Sequence, residues 1–249
     1  MFEAQRASVL TVGAGRGFVV ESGANRYVLT AAHCMVSGIK EDLPPCIAAT
    51  GAEELTYPKL LAPLGGHPWV WAQCLFVDPT ADIAVLGSPD GQTIPQEAIT
   101  YDALMQTFSP IDIADPVSIG SDDLWQKARG WMLSLDGEWF GCDVSFMEDP
   151  IWLGQPCPLL IEKAVQPIVG GMSGSPILTA DGSAAVGMIN ISTENSPGPH
   201  GPNPRLLHHL PGWLLNALGP KVSSRKSKPL AIANRGPAAR RWPARGMLP

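Results

Sequence analysis

Short runs of apolar and β-branched residues, separated by turn signals, extend along most of the chain and predict β-strands. Asp136-Gly137 and Asp181-Gly182 each lie between two such runs, which is the strongest local signal for a β-hairpin. The runs are VLTV (9–12), GFVVES (17–22), NRYVLT (25–30), WVWAQCLFV (69–77), DIAVLG (82–87), WMLSL (131–135), EWFGCDV (138–144), PLLIEKAV (158–165), SPILTA (175–180) and AAVGMINIS (184–192). Together they predict two halves rich in antiparallel hairpins.

One stretch near the end of the chain has helical periodicity instead, and no other long amphipathic helix is expected. Pro211 can open its second part and Gly219 can end it. Its apolar positions are Leu206, Leu207, Leu210, Trp213, Leu214 and Leu218. We predict a first β-barrel subdomain over 1–108, a second over 109–220 that includes this helix, and a tail over 221–249.

The charge is distributed unevenly between the body and the tail. The net charge is −6, but residues 221–249 carry eight Lys and Arg side chains and no acid, so residues 1–220 carry −14. This acidic body lacks the basic face that nucleic acids require, and we expect it to attract basic partners. The tail is rich in Pro, Gly and Ser, which predicts disorder. It is either a passive solubilising extension or a segment that docks to an anionic surface or to the acidic body.

The composition is that of a globular chain, because 249 residues with 45% hydrophobic content can bury a sizeable core. The start MFEAQRASVLTVG lacks the features of a secretory signal, and no stretch approaches the ~20 apolar residues of a membrane span. We therefore expect a cytoplasmic protein. The five cysteines contain no C-x-x-C pair, so neither a zinc cluster nor a full disulfide framework is indicated. They are Cys34, Cys46, Cys74, Cys142 and Cys157.

Three polar residues stand where strand signals begin or end. His33 follows YVLTAA, Asp82 opens the strand DIAVL, and Ser173 lies in GGMSGSPI ahead of another strand. A serine hydroxyl is a poor nucleophile unless a base takes its proton, and a neutral histidine can do so. A buried carboxylate then fixes the tautomer of the imidazole. Asp78, in FVDPTAD, is interpreted instead as a turn residue before Pro79.

These motifs resemble the chymotrypsin-fold, or trypsin-like, serine proteases, nearest to the bacterial HtrA-like and glutamyl-endopeptidase-like branches. GRGFVVESGANRYVLTAAHC matches the hairpin and histidine turn of the family's first barrel, DIAVL its aspartate strand and GMSGSP its nucleophile loop, over roughly residues 7–218. The resemblance implies an all-β double six-stranded antiparallel β-barrel with a C-terminal helix. It implies a serine endopeptidase that cleaves proteins or peptides through an acyl-enzyme, with Ser173 as nucleophile, His33 as general base and then acid, and Asp82 orienting His33.

The nucleophile loop also has a glycine where an oxyanion hole needs one. Gly171 lacks a Cβ, so its N–H can turn toward a substrate carbonyl and act together with the N–H of Ser173. The chain departs from secreted family members in two ways, because Cys34 has no cysteine partner about sixteen residues upstream and Met172 replaces the acid of activated zymogens. We therefore expect a reducing compartment and no activation by N-terminal cleavage.

The resemblance places the specificity pocket on two segments. Its floor lies about six residues before the nucleophile, at Pro167 and Ile168, and one wall is the strand VGMINIS, with Met188, Ile189 and, at the edge, Asn190. No acid occupies the floor, so a buried Lys or Arg side chain would lack a counter-charge. Ile189 stands where glutamyl endopeptidases place a histidine. We expect a small or medium apolar side chain, such as Ala, Val or Leu, before the cleaved bond.

Two other classes of function are considered. The alternative is a catalytically silent protease-fold binding module that recruits a regulatory or other partner through the cleft or the basic tail, although an intact triad argues against it. An esterase of the α/β-hydrolase class is excluded, because residue 175 is serine and a β-run follows. No cofactor or metal is implied, since the other histidines lack paired ligands at metal spacing. They are His67, His200, His208 and His209. The sequence does not indicate an oligomeric state.

Overall fold

Strands dominate the part of the chain that the computed structural model describes, which is residues 2–35, 56–78, 82–114, 125–147, 151–152, 155–156 and 159–190. The expected C-terminal helix and basic tail lie outside these residues, as do Cys46 and Cys157. The predicted all-β fold class is confirmed.

Six strands of the first half close into an antiparallel barrel. They are β1 (Val9–Val12), β2 (Gly15–Ser22), β3 (Asn25–Ala31), β4 (Thr56–Pro63), β5 (Val70–Asp78) and β6 (Ile83–Gly87). Their order around the barrel is β1-β2-β3-β6-β5-β4, and β4 closes onto β1. The sequence runs predicted every strand except β4, whose first residues are polar or exposed. Closure makes β3 and β6 neighbours although β4 and β5 separate them in sequence.

The second half forms a six-stranded sheet with the order β12-β9-β8-β13-β14-β7. Its strands are β7 (Asp112–Ile113), β8 (Trp125–Leu133), β9 (Trp139–Met147), β12 (Leu159–Ala164), β13 (Pro176–Leu178) and β14 (Ala184–Met188). A separate small pair consists of β10 (Ile151–Trp152) and β11 (Gln155–Pro156). Both predicted hairpins are confirmed, because Asp136-Gly137 connects β8 to β9 and Asp181-Gly182 connects β13 to β14.

A helix that the sequence analysis did not expect packs on the first barrel. Helix α2 (Pro95–Gln106) is held by the Tyr101 hydroxyl, which donates to the Arg26 carbonyl at 3.1 Å, and by the Arg26 guanidinium, which donates to the Met105 carbonyl at 2.7 Å. The sequence analysis expected no other long amphipathic helix, and this helix of twelve residues has no amphipathic stripe by which the sequence could have indicated it. Ile99 is 61% exposed on this helix, so its apolar residues do not form the single stripe that identifies an amphipathic helix.

The N-terminal segment reaches across to the second sheet. A short helix, α1 (Glu3–Arg6), follows Phe2, whose ring lies edge-on to Trp131 and Trp139 at centroid distances of 5.5 and 6.2 Å. The Phe2 carbonyl accepts the Trp139 indole N–H at 3.2 Å. No helix within the described ranges is long and apolar enough to cross a membrane, and the same ranges hold no group of His, Cys, Asp and Glu side chains arranged for a metal ion.

Candidate active site

Two hydrogen bonds join His33 to Asp82 at one end of the first barrel. A 3₁₀ helix (Ala32–Met35) continues β3 and carries His33, while Asp82 immediately precedes β6, the neighbour of β3. His33 Nδ1 lies 2.7 Å from Asp82 Oδ2, and the His33 backbone N–H donates to Asp82 Oδ1 at 3.0 Å. The Asp82 carbonyl also accepts the Ala32 N–H at 3.1 Å. Asp82 therefore fixes both the imidazole and the backbone that carries it.

Burial and hydrogen bonding act in opposite directions on the His33 imidazole. Its side chain is 32% exposed and that of Asp82 is 13% exposed. Burial alone lowers the pKa of His33, but hydrogen bonds with Asp82 and Cys34, with the charges of both groups, raise that pKa to about 10. Asp82 adopts a φ of +54°, a left-handed conformation that non-glycine residues rarely take. Backbone strain of this kind clusters at functional sites.

Ser173 lies in a turn bounded by two glycines with positive φ, Gly171 at +90° and Gly174 at +84°. Among the described residues, neither the Gly171 N–H nor the Ser173 N–H donates a hydrogen bond. Both groups are therefore available to bind an oxygen of a ligand. No hydrogen bond within this part of the chain joins the Ser173 hydroxyl to His33.

The first barrel holds the serine turn by close backbone contacts. The Arg16 N–H donates to the Ser173 carbonyl at 2.7 Å, and the Cys34 thiol lies 3.5 Å from the same oxygen. A Cβ on Gly174 would overlap the Arg16 carbonyl, and a Cβ on Gly15 would lie 2.7 Å from the Ser173 carbonyl oxygen. Glycine is therefore required on both sides of this contact.

Arg16 is a buried cation at the same junction, and the sequence analysis missed it. Its side chain donates to three consecutive backbone carbonyls at the end of β8, those of Leu133 at 3.1 Å, Ser134 at 2.9 Å and Leu135 at 3.2 Å. Burial lowers the pKa of its guanidinium. The available signal was a charged residue between two glycines, at the start of a strand whose first six residues are all buried.

The residues that directly follow β14 run beside the serine turn. The Ile189 N–H donates to the Ser175 carbonyl at 3.0 Å, and the Gly174 N–H donates to the Ile189 carbonyl at 2.5 Å. Asn190, the next residue, is fully buried. The predicted wall therefore lies next to the turn that carries Ser173.

The other predicted pocket residues are divided between two cores. Ile168 and Ile189 pack in one cluster with Met172, which is buried directly before Ser173. Met188 belongs to the larger core instead, since successive side chains of a strand point to opposite faces. Pro167 is exposed. Ile168 and Ile189 are thus the two predicted pocket residues that the structure brings together.

The hydrogen-bonded pair His33 and Asp82 belongs to the first barrel, and Ser173 lies in a glycine-bounded turn that β2 of the same barrel contacts. The chain belongs to the trypsin-like peptidase domain family, whose model matches residues 15–188. It is a serine endopeptidase, as the sequence motifs predicted. A search of curated proteins found no match.

Several solved structures resemble the chain. They include the inactive form of the Rv3671c protease of M. tuberculosis (17% identity, TM-score 0.45, covering 87% of this chain and 91% of that one). Others are Deg5 (15%, 0.48, 84% and 87%) and the MamO protease domain of Magnetospirillum magneticum (14%, 0.47, 84% and 96%). A shared fold at such identities does not transfer a substrate from one protein to another.

We expect Gly174→Ala to abolish the packing of the serine turn against β2, because its Cβ would overlap the Arg16 carbonyl. The matched control is Gly23→Ala, where φ is also positive at +64° but no atom of the described residues lies within 4 Å of the new Cβ. That control should cost only the left-handed strain, about 1 kcal/mol. Chemical denaturation and peptide hydrolysis measure both variants. Equal losses in the two variants would contradict the packing argument.

Proposed function

We propose that this endopeptidase cleaves peptide bonds with Ser173 as nucleophile, His33 as general base and Asp82 as the group that orients His33. The observation that carries the proposal is the pair of hydrogen bonds that the carboxylate of Asp82 accepts from the backbone N–H and from Nδ1 of His33. With Nδ1 occupied by the carboxylate, Nε2 is the nitrogen that can take the Ser173 proton. The same nitrogen then returns the proton to the leaving amine, and water hydrolyses the acyl-enzyme by the reverse sequence.

The proposed oxyanion hole consists of the backbone N–H groups of Gly171 and Ser173. Its support is that neither group donates a hydrogen bond among the described residues, and that Gly171 has the positive φ glycine permits. Two donors fixed before the reaction stabilise the negative charge of the tetrahedral intermediate without reorganising.

The proposed substrate is a protein or peptide with an apolar side chain before the cleaved bond. The support is that Ile168 is partly buried against the apolar cluster that contains Ile189 and Met172, so hydrocarbon lies beside the serine turn. The predicted pocket positions 167–168 and 188–190 hold no Asp or Glu that would neutralise a buried Lys or Arg, so the cost of desolvating such a cation is uncompensated there. The proposed cleft lies between the barrel over 1–108 and the second unit over 109–220. The proposed location of the protein is the cytoplasm.

We expect Ser173→Ala and His33→Ala each to lower kcat/KM for a peptide substrate by at least about a thousandfold, because members of a triad act as a unit. Asp82→Asn should also be damaged, since the amide favours the wrong imidazole tautomer. Thermal unfolding monitors whether the variants fold. A fluorophosphonate probe provides the direct reading, labelling the wild-type protein and not Ser173→Ala.

Activity within a few-fold of wild type in either alanine variant would remove the triad assignment. A folded wild-type protein that the probe does not label would favour a binding role for the cleft.

We expect kcat/KM to rise with pH on the alkaline side of neutrality, because the pKa of His33 is raised to about 10 and an imidazolium cannot accept a proton. The raised pKa also means that the ion pair with Asp82 stabilises the fold fully below the ordinary histidine pKa of 6.5 and fades as pH rises through about 10. Cys34→Ala should move the alkaline limb to lower pH. An unchanged limb in that variant would show that Cys34 does not contribute.

We expect a peptide library to show Ala, Val or Leu before the cleaved bond. Ile189→Ala should shift that preference toward larger apolar residues by deepening the pocket. Val169→Ala, at an exposed position shortly before the serine turn, should not change the preference. Cleavage-site sequencing by mass spectrometry gives the distribution for each variant. Strong preference for Arg, Lys or Glu at this position would refute the pocket while leaving the triad intact.

A further inference from the structure

We propose that Arg16 is a positioning residue that fixes Gly171 relative to Ser173. The inference rests on the proposed function, because its consequence is the placement of a proposed oxyanion donor beside the proposed nucleophile. Arg16 acts through the hairpin between β8 and β9, and the proposed role requires no contact of Arg16 with the substrate or with the reacting atoms.

Burial of the Arg16 side chain is energetically costly. Arg16 is 6% exposed, and no carboxylate among the described residues pairs with it. Burying an unpaired cation is costly, and well-packed apolar residues often hold two strands together at least as well. A cation balanced only by backbone carbonyls is therefore an expensive device if its role is stability alone.

Arg16 contacts both sides of the site at once. Its backbone N–H donates to the Ser173 carbonyl at 2.7 Å, and its own carbonyl accepts the Thr30 hydroxyl at 2.7 Å. Its guanidinium donates to the carbonyls of residues 133–135 in the second sheet. One residue of β2 thus sets the distance between the serine turn and the hairpin.

The hairpin between β8 and β9 lies beside Gly171. Leu135 Cδ2 lies 3.5 Å from the position a Cβ of Gly171 would occupy, and it is the only atom of the described residues within 4 Å of that point outside the chain neighbours of Gly171. A cavity of about 350 Å³ lies here, lined among others by Gly15, Arg16, Leu135 and Gly171. The N-terminal segment also packs on this hairpin through Phe2. The space beside Leu135 is open, however, so we infer that the guanidinium bonds fix the part of the hairpin that faces Gly171.

Arginine suits this position because of the shape of its guanidinium group. Two guanidinium nitrogens reach three consecutive carbonyls in a fixed planar fork. A lysine keeps the charge but presents all its donors on one nitrogen, so it cannot reproduce this geometry. Arg16→Lys should therefore keep part of the kcat and of the boronic acid affinity that Arg16→Met loses.

The chain contains a matched control in Arg26. Its guanidinium also donates to two backbone carbonyls, those of Met105 at 2.7 Å and Phe108 at 2.9 Å. These bonds hold the end of helix α2 against the first barrel and do not involve the serine turn. Replacing Arg26 therefore removes the same kind of bond to backbone carbonyls at a different place, together with an ion pair to Glu21 at 3.1 Å.

The experiment compares Arg16→Met, Arg16→Lys, Arg26→Met and Arg26→Lys in the full chain. The measurements are kcat and KM for a peptide substrate, the inhibition constant of a peptide boronic acid, and thermal unfolding. The boronic acid bonds to the serine oxygen as a tetrahedral adduct, so its affinity reports on the oxyanion hole, whereas KM reports mainly on substrate binding.

We expect Arg16→Met to lower kcat about a hundredfold with little change in KM, and to weaken boronic acid binding by a similar factor, as displaced catalytic groups do. Arg16→Lys should recover part of both losses. Both Arg26 variants should keep kcat and boronic acid affinity within about threefold, although they unfold at lower temperature. If Arg16→Met does not fold, Leu135→Ala, at a half-exposed position, should still lower kcat without changing KM.

A folded Arg16→Met protein with wild-type kcat and boronic acid affinity would overturn the proposal, as would equal losses in Arg26→Met or an unaffected Leu135→Ala. These results differ from a failure of the proposed function, which is tested by Ser173→Ala. Full activity in Ser173→Ala would rule out Ser173 as the nucleophile. Loss of activity in Ser173→Ala together with wild-type activity in the Arg16 variants would rule out only the positioning role of Arg16.

Discussion

The hydrogen bond from the Arg16 N–H to the Ser173 carbonyl is the contact on which the site depends. It joins β2 of the first barrel to the serine turn of the second half at 2.7 Å, closer than any side chain at Gly174 would permit. The glycines at 15 and 174 are the local consequence. The global consequence is that the serine turn takes its position from the barrel that also carries His33 and Asp82.

Closure of that barrel explains why His33 and Asp82 form hydrogen bonds although they are 49 positions apart in the sequence. Closure makes β3 and β6 neighbours, and their register pairs Ala31 with Ile83. The residues just beyond this pair are the 3₁₀ helix and Asp82, so the strand register itself delivers the carboxylate to the imidazole. The left-handed φ of Asp82 is compensated by the three hydrogen bonds that the residue accepts.

The sequence was sufficient for features that depend on local pattern, and insufficient for those that depend on long-range contact. Ten of the fourteen strands in the described residues and both Asp-Gly hairpins follow from alternation and turn chemistry, whereas β4 and the two-residue strands β7, β10 and β11 were not predicted. The His33, Asp82 and Ser173 motifs indicate the family. Helix α2 was missed because Ile99 breaks its apolar stripe. The guanidinium bonds of Arg16 reach residues more than a hundred positions away, a pairing that no local pattern encodes.

Two features of the site agree on its resting condition. No hydrogen bond joins the Ser173 hydroxyl to His33 among the described residues, and the raised pKa of His33 favours the imidazolium at neutral pH. An imidazolium can donate to the serine oxygen but cannot take its proton, so a base in this state must first lose a proton. The Arg16 N–H already holds the carbonyl of Ser173. In the proposed mechanism, the reaction therefore starts with deprotonation of His33 and an approach of its side chain to the Ser173 hydroxyl.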